Sequence, residues 1–198
     1  MKYNSTLQYW AVKLIHTYST ILINYHKQYI KEVCENGGDI LEIGFGAGST
    51  ANMIQTYNIK SHTIIERDEY FFKKLCEWSH NKPNVKVVHG DGIKDIPTDK
   101  KYDGIFVDLW NSKEDYHLRK SLCNTLETHT NPGTVLICAT DKVFNKELYI
   151  GKGHKYEEIK VNKPKIKWYH VLSHILLYLF SKENGNINHH HIPKVTYK

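Results

Sequence analysis

Apolar positions along this chain follow two different periods. Over residues 6–34 they recur every three or four positions, as on one face of a helix, until Gly37 and Gly38 interrupt the pattern. From Asp39 to Ala139, short apolar runs alternate with amphipathic stretches. The pattern therefore predicts one or two N-terminal helices followed by strands and helices in alternation.

The alternating pattern also predicts where the elements begin and end. The predicted strands are Asp39–Ile43, His62–Glu66, Val85–Val88, Tyr102–Asp108, Thr134–Ala139, Tyr156–Val161 and His189–Tyr197. The predicted helices are Ser49–Tyr57, Glu69–Trp78, Lys113–His129 and Trp168–Phe180. Strands that alternate with helices form a parallel sheet covered on both faces, so the sequence predicts an α/β fold.

Length, charge and cysteine content exclude several classes of protein. A chain of 198 residues has the size of one domain, so we predict a single domain over residues 1–198. The formal charge of +6 comes from scattered lysines and only two arginines, Arg67 and Arg119, which argues against a nucleic-acid surface. The four cysteines are widely spaced and are expected to be buried thiols. No apolar stretch reaches the roughly 18 residues of a membrane span and no secretory signal is visible, so we predict a cytoplasmic protein.

A glycine-rich segment follows the first predicted strand. Residues 42–48 read Glu-Ile-Gly-Phe-Gly-Ala-Gly, which is E-x-G-x-G-x-G between a strand and a helix. Gly44 and Gly46 allow a tight turn and a close approach of the backbone to a ligand, and Gly48 lets the following helix pack closely. A purely structural turn uses glycine in the same way, so the segment predicts a ligand site only together with its surroundings.

Acidic residues end the next two predicted strands. Glu66 stands 24 positions after Glu42, which suits a carboxylate that accepts hydrogen bonds from a ribose diol. Asp91, between Gly90 and Gly92, ends the third strand and suits an acceptor for an adenine amine. Either acid alone is equally compatible with an ion pair or a turn. Their succession at the carboxyl ends of parallel strands, where open sheets bind ligands, predicts a nucleoside-containing ligand.

The spacing of the loop distinguishes between cofactors. It lacks the G-x-x-x-x-G-K-S/T spacing of a triphosphate loop, and Ser49 stands where a dinucleotide fingerprint needs its third glycine. The E-x-G-x-G-x-G form resembles motif I of class I S-adenosylmethionine-dependent methyltransferases. Asp103 within residues 102–108, and the turn at residues 131–134, resemble the fourth and fifth motif regions. The resemblance covers roughly residues 38–140 and implies S-adenosylmethionine as cofactor, with a Rossmann-like, open, mostly parallel seven-stranded sheet whose last strand is antiparallel.

Four segments resemble one group within that superfamily. They are LEIGFG, HTIIERDEYFFKKLCEW, KYDGIFVDLW and NPGTVLICA, and they are similar to the guanidinoacetate N-methyltransferase and arginine N-methyltransferase 2 group. The motifs and the resemblance together predict a set of cofactor contacts: Glu42, Gly44, Phe45, Gly46, Ala47, Gly48, Ser49, Glu66, Arg67, Gly90, Asp91, Gly92 and Asp108. They divide the predicted domain into N-terminal helices, a cofactor-binding core and C-terminal strands with an apolar helix, at residues 1–36, 38–141 and 142–198.

The chain departs from that group near the expected acceptor. The group carries a Trp-Glu-Thr-Pro-like segment ahead of motif I, whose Glu helps to hold a guanidinium substrate. Residues 21–24, Ile-Leu-Ile-Asn, offer no carboxylate there, and Leu109 and Trp110 follow Asp108 where the group has a Thr-Tyr-like pair. The resemblance therefore implies the methyl donor and leaves the acceptor open, with an amino or guanidino group of a small molecule as the first expectation.

Methyl transfer from a sulfonium needs an aligned nucleophile and a group that takes its proton. Asp108, at the end of the fourth predicted strand, is the expected group for both tasks. Trp110 is expected to wall the pocket and to favour a cationic transition state through its ring face. Tyr116 and His117 follow closely and could contact the acceptor, although a surface histidine is the commoner case.

Two alternative functions remain open from the sequence. A metal-assisted O-methyltransferase would hold a divalent cation between Asp108 and Asp141, although Lys142 stands where such a site would place an Asn. A catalytically silent adenosyl-binding scaffold would use Trp168–Phe180 as a contact surface, a segment that otherwise suits the core or a lid. We predict no resident metal, even at the run His189–His191, and no nucleic-acid partner, because no N-P-P-Y-like tetrad follows the fourth strand. A homodimer is left open.

Overall fold

The fold is built on one seven-stranded sheet. The computed structural model of the protein describes residues 26–108, 116–139, 146–162 and 189–198. The strands are β1 (Asp39–Ile43), β2 (Ser61–Glu66), β3 (Val85–His89), β4 (Tyr102–Val107), β5 (Thr130–Cys138), β6 (Lys155–Asn162) and β7 (His189–Thr196). The helices within these ranges are α1 (residues 26–34), α2 (Ser49–Ile54), α3 (Glu69–Ser79), α4 (Tyr116–Thr128) and α5 (Lys146–Gly151).

The strand order is β3-β2-β1-β4-β5-β7-β6. The first five strands pair in parallel, and β7 runs antiparallel to both of its neighbours, β5 and β6. This confirms the predicted Rossmann-like α/β fold with an antiparallel last strand. The chain moves outward from β1 to β3 and then returns to β4 on the other side of β1, so the order reverses between β1 and β4. Open parallel sheets bind ligands beside the carboxyl ends of the strands at such a reversal.

Helices cover both faces of the sheet, as the alternation predicts. One face carries Ile40 and Phe106, which pack with residues of α1 and α2. The other face carries Leu41 and Ile105, which pack with residues of α4 and α5. Successive side chains of a strand point to opposite faces, so both faces of these buried strands are apolar. Burial on both faces of the sheet explains why these strands are continuous apolar runs in the sequence.

Element bounds agree with the predictions except where turns adjoin regular structure. Helix α2 ends at Ile54 and not at Tyr57, because the chain continues in shorter-range turns in which Tyr57 N donates to Ile54 O at 3.1 Å. Strand β5 begins at Thr130 and not at Thr134, and its pairing with β4 shifts register across the intervening residues. Thr134 bridges this irregularity, since its hydroxyl donates to the Tyr102 carbonyl at 2.6 Å.

Some predicted features lie outside the described residues, and one observed helix was not predicted. The predicted helix Trp168–Phe180 and the start of the helix predicted from Lys113 belong to ranges that the structure does not describe. Helix α5 has only six residues and no apolar periodicity long enough to reveal it in the sequence. Among the described helices, none combines the length and the apolar character needed to cross a bilayer.

Candidate cofactor site

The glycine loop connects the end of β1 to the start of α2. Gly44 has a φ of +94°, and a Cβ built there would lie only 2.4 Å from the carbonyl oxygen of Asp108. Any side chain at this position would therefore push the end of β4 away from the loop. Two backbone hydrogen bonds of 2.9 Å hold the turn, from Gly44 N to Ile65 O and from Asp108 N to Ile43 O. The loop is thus fixed between the ends of β2 and β4.

Glu66, at the end of β2, binds the same loop through its side chain. Its Oε2 accepts hydrogen bonds from Phe45 N at 2.9 Å and Gly46 N at 3.2 Å, and its Oε1 accepts one from Asp68 N at 2.8 Å. The residue is only 8% exposed, so these bonds are shielded from water. The sequence predicts a ribose contact for Glu66, and that contact stays a prediction. What the sequence did not reveal is that this carboxylate also ties the loop to the turn before α3.

The predicted adenine side of the site lies at the end of β3. Asp91 Oδ1 accepts from Ile93 N at 2.9 Å, and its Oδ2 lies 3.8 Å from Nη1 of Arg67. The Arg67 side chain is 81% exposed and the pair is therefore open to solvent. Gly92 is buried, and a Cβ there would lie 2.2 Å from Ile43 Cγ2. The ends of β1, β2 and β3 are thus packed together, with Asp91 and Arg67 at the rim.

Asp108 follows the last residue of β4 and is partly buried. Burial raises the pKa of its carboxyl to about 6. The backbone of Asp108 lies beside the glycine loop, since it contacts both Ile43 and Gly44. The other acceptor-side predictions, Trp110 and Asp141, lie outside the described residues. For Tyr116 and His117 the structure describes only the backbone, at the start of α4.

The remaining predicted loop residues differ in where they lie. Gly46 and Ser49 are partly buried, Ala47 is exposed and Phe45 is buried. The Phe45 ring packs inward against Trp78, with 5.6 Å between ring centroids, and Trp78 Nε1 donates to Asn52 Oδ1 at 2.8 Å. The loop is therefore anchored from behind by α2 and α3. The roles of these loop residues as cofactor contacts stay predictions.

Glu42 lies under the loop, and its partner was missed in the sequence. Its carboxyl is fully buried, and Oε2 lies 3.0 Å from Nε2 of the equally buried His62. Burial raises the pKa of Glu42 well above its usual range, with added contributions from the charges of Asp108 and Glu66, and burial lowers the pKa of His62 to about 3. A histidine at the start of a predicted strand was the available signal, but the sequence alone does not show which acid it faces.

Comparisons with known proteins agree with this geometry. The family model described as Guanidinoacetate N-methyltransferase matches residues 13–161. The N-methyltransferase NodS from Bradyrhizobium japonicum WM9 is similar in structure, with a TM-score of 0.63 and 15% sequence identity over 87% of this chain and 93% of that one. NodS in complex with S-adenosyl-L-homocysteine gives a TM-score of 0.60 at 13% identity, over 87% of this chain and 85% of that one.

A third similar structure is fibrillarin from Aeropyrum pernix with natively bound S-adenosyl-L-methionine. Its TM-score is 0.54 at 13% identity, over 81% of this chain and 66% of that one. At such identities these structures show the shared fold, whereas the family model covers most of the chain. The chain belongs to the guanidinoacetate N-methyltransferase family and is an S-adenosylmethionine-dependent methyltransferase.

Proposed function

We propose that this methyltransferase transfers a methyl group to a nitrogen atom of a small amino or guanidino compound. The observation that carries the proposal is Asp108, a partly buried acid that directly follows β4 and whose backbone lies beside the glycine loop. With a pKa of about 6, this carboxyl is mostly ionised at neutral pH. It thus offers both a negative charge to a cationic acceptor and a site for the proton that the acceptor nitrogen loses.

The residues at the strand ends fit S-adenosylmethionine. A Cβ built at Gly46 would meet no atom within 4 Å, so the loop backbone is open on that side. Glu66 Oε1 accepts one hydrogen bond from Asp68 N and has a further lone pair for a ribose hydroxyl. We assign the adenine amine to Asp91 and the ribose to Glu66. Bound there, the cofactor supplies an electrophilic methyl group.

Asp108 acts on the acceptor in this proposal. Its carboxylate accepts a hydrogen bond from the acceptor N–H and so orients the nitrogen towards the methyl group. The methyl group would leave the cofactor sulfur, which becomes a neutral thioether, as it bonds to the nitrogen. A nitrogen that gains a methyl group in this way becomes more acidic, and its proton passes to the Asp108 carboxylate. A raised pKa suits this task, because a stronger carboxylate base holds the proton better than an ordinary surface aspartate. Trp110 remains a predicted wall of the acceptor pocket.

The acceptor itself is proposed to differ from guanidinoacetate. The family resemblance implies a second carboxylate, ahead of the glycine motif, that helps to hold the guanidinium. Residues 21–24 carry none. A guanidinium bound by two carboxylates is held through paired hydrogen bonds on two sides, and Asp108 alone provides one such side. We therefore expect a simpler amine or a guanidine that is recognised through other groups.

A methyl-transfer screen tests the proposal. Purified protein is incubated with methyl-labelled S-adenosylmethionine and a panel of guanidines, amines and catechols, with and without EDTA, and mass spectrometry locates the transferred methyl group. We expect label on nitrogen, unaffected by EDTA and lost in Asp108→Asn. Label on a catechol oxygen that disappears with EDTA and returns with magnesium would overturn the proposal in favour of the metal-assisted alternative. Cofactor binding without turnover of any acceptor would favour the silent scaffold.

A further inference from the structure

His89 is the last residue of β3, and its side chain reaches the turn that follows β2. In the register of these two parallel strands, His89 lies opposite Glu66. Beside this pair, Gly90 N donates a backbone hydrogen bond to Glu66 O at 3.1 Å. The imidazole adds a link one residue further along, since its Nε2 lies 3.2 Å from the carbonyl oxygen of Arg67. A carbonyl oxygen can only accept, so Nε2 is the donor in this bond.

A second contact fixes the plane of the His89 ring. The ring stacks on Phe72 of α3, with 4.4 Å between ring centroids and 13° between the ring planes. Phe72 is itself tied to the same turn, because its backbone N–H donates to Asp68 O at 2.8 Å. The stack holds the imidazole so that Nε2 faces the Arg67 carbonyl. His89 therefore joins three parts of the fold, namely β3, α3 and the turn at residues 66–68.

This turn adjoins both groups proposed for the nucleoside. Glu66, the proposed ribose contact, begins it, and the Arg67 side chain extends towards Asp91, the proposed adenine contact, with 3.8 Å between Arg67 Nη1 and Asp91 Oδ2. Asp91 Oδ1 already accepts from a backbone N–H of its own turn, so Oδ2 is the oxygen that remains for an adenine amine. The two acids belong to different strands. Their separation depends on how the end of β2 is held against the end of β3, which is where His89 makes its bond.

We propose that His89 is a positioning residue for the adenosine part of the cofactor. In this role it touches neither the cofactor nor the acceptor, and it acts through the Arg67 backbone, which it holds in the place that Glu66 and Asp91 require. A site whose parts already have their bound arrangement loses less conformational freedom on binding, so the bond raises affinity. His89 is exposed, so water replaces the bond when it is lost and the effect on folding is small. The methyl-transfer step itself is unaffected.

Two substitutions separate the hydrogen bond of His89 from its ring stack. His89→Gln keeps a side-chain N–H at about the reach of Nε2 and removes the ring, whereas His89→Phe keeps a ring against Phe72 and removes the donor. Calorimetry measures dissociation constants for adenosine and for S-adenosylmethionine. We expect His89→Phe to weaken both by about threefold to tenfold, the effect of one hydrogen bond, and His89→Gln to stay within about twofold of wild type. His80→Phe, the same change at an exposed histidine directly after α3, is the matched control and leaves both constants unchanged.

Steady-state kinetics with the identified acceptor provide the second measurement. In His89→Phe the KM for S-adenosylmethionine should rise by the same factor as the dissociation constant, while kcat stays within about twofold of wild type. A fall in kcat at saturating cofactor, or a larger loss of affinity in His89→Gln than in His89→Phe, would overturn the inference, the latter because it would assign the effect to ring packing. A His89→Phe variant that no longer folds would place His89 in the structural core and overturn it as well.

This inference rests on the proposed cofactor contacts, which Asp91→Ala tests separately by the same calorimetry. Unchanged affinity for adenosine in Asp91→Ala would refute the proposed adenine contact itself. A loss of affinity in Asp91→Ala together with wild-type affinity in His89→Phe would refute the role of His89 alone.

Discussion

The carboxylate of Glu66 accepts a 2.9 Å hydrogen bond from the backbone N–H of Phe45, which joins the end of the second strand to the glycine loop that follows the first. The same oxygen also accepts from Gly46 N, so two consecutive loop amides converge on it. An acid expected to contact a ribose therefore also shapes the loop that is expected to contact the rest of the cofactor. Replacing Glu66 should therefore affect both cofactor binding and the stability of the loop.

Glu66→Gln should weaken cofactor binding by tenfold or more and lower stability by about 1–3 kcal/mol. The glutamine has one acceptor oxygen where Glu66 uses two, so its NH₂ group would face a backbone N–H and leave that donor unsatisfied. Calorimetric titration with S-adenosylmethionine and thermal unfolding measure the two effects. Glu69→Gln is the control, because Glu69 lies on α3 with its side chain 73% exposed. An unchanged dissociation constant in Glu66→Gln would contradict the assigned role.

The rate of methyl transfer should fall below about pH 6. In the proposed mechanism Asp108 accepts the proton only when it is ionised, and its pKa is about 6. We expect kcat/KM to decrease about tenfold for each pH unit below that value and to level off above it, as long as the acceptor does not itself titrate there. Single-turnover rates from pH 5 to 8 with the identified acceptor measure this. A profile that stays flat to pH 5 would show that another group takes the proton.

Asp108→Asn should be inactive and yet more stable than the wild type at neutral pH. The folded pKa of Asp108, about 6, exceeds the unfolded value of about 3.9, so folding binds a proton between these values. Its contribution to stability is therefore present below about pH 4 and is lost as the pH rises to about 6. Denaturant unfolding should show a gain of up to about 3 kcal/mol for the variant at pH 7, declining towards zero at pH 4. A less stable variant at pH 7 would mean that the carboxylate makes favourable contacts.

Replacing Asp39 should have the opposite effect on stability to replacing Asp108. Burial opposes its ionisation, but hydrogen bonds from Ser61, Lys100 and Lys60 outweigh that and lower the pKa of the carboxyl to about 2. The contribution of Asp39 is therefore present above about pH 4 and disappears as the pH falls towards 2. Asp39→Asn should cost about 1–2 kcal/mol at pH 7, a value reduced by solvent screening because Lys60 is exposed, and almost nothing at pH 2. Equal costs at both pH values would rule out the ionic contribution.

The strand pattern was readable from the sequence because burial on both faces leaves continuous apolar runs. Residues Asp39–Ile43 were predicted and observed as the same strand, and β2, β3, β4, β6 and β7 differ from their predictions by at most a residue or two. The glycine turn was readable for a different reason. The positive φ at position 44 is a local demand for glycine, whereas the 2.4 Å approach of the Asp108 carbonyl comes from the neighbouring strand.

The sequence by itself determined the α/β alternation, the glycine loop and the acids at the strand ends, since each depends on neighbours along the chain. The tertiary structure alone decided which groups those acids meet. Glu42 and His62 are 20 positions apart in sequence, yet they face each other because Ile40 pairs with His62 and Glu42 with Ile64 across two parallel strands. In the same way, β7 lies between β5 and β6 in the sheet, although both of these strands precede it in the chain. Strand register and strand order depend on packing across the whole sheet, and no local pattern encodes them.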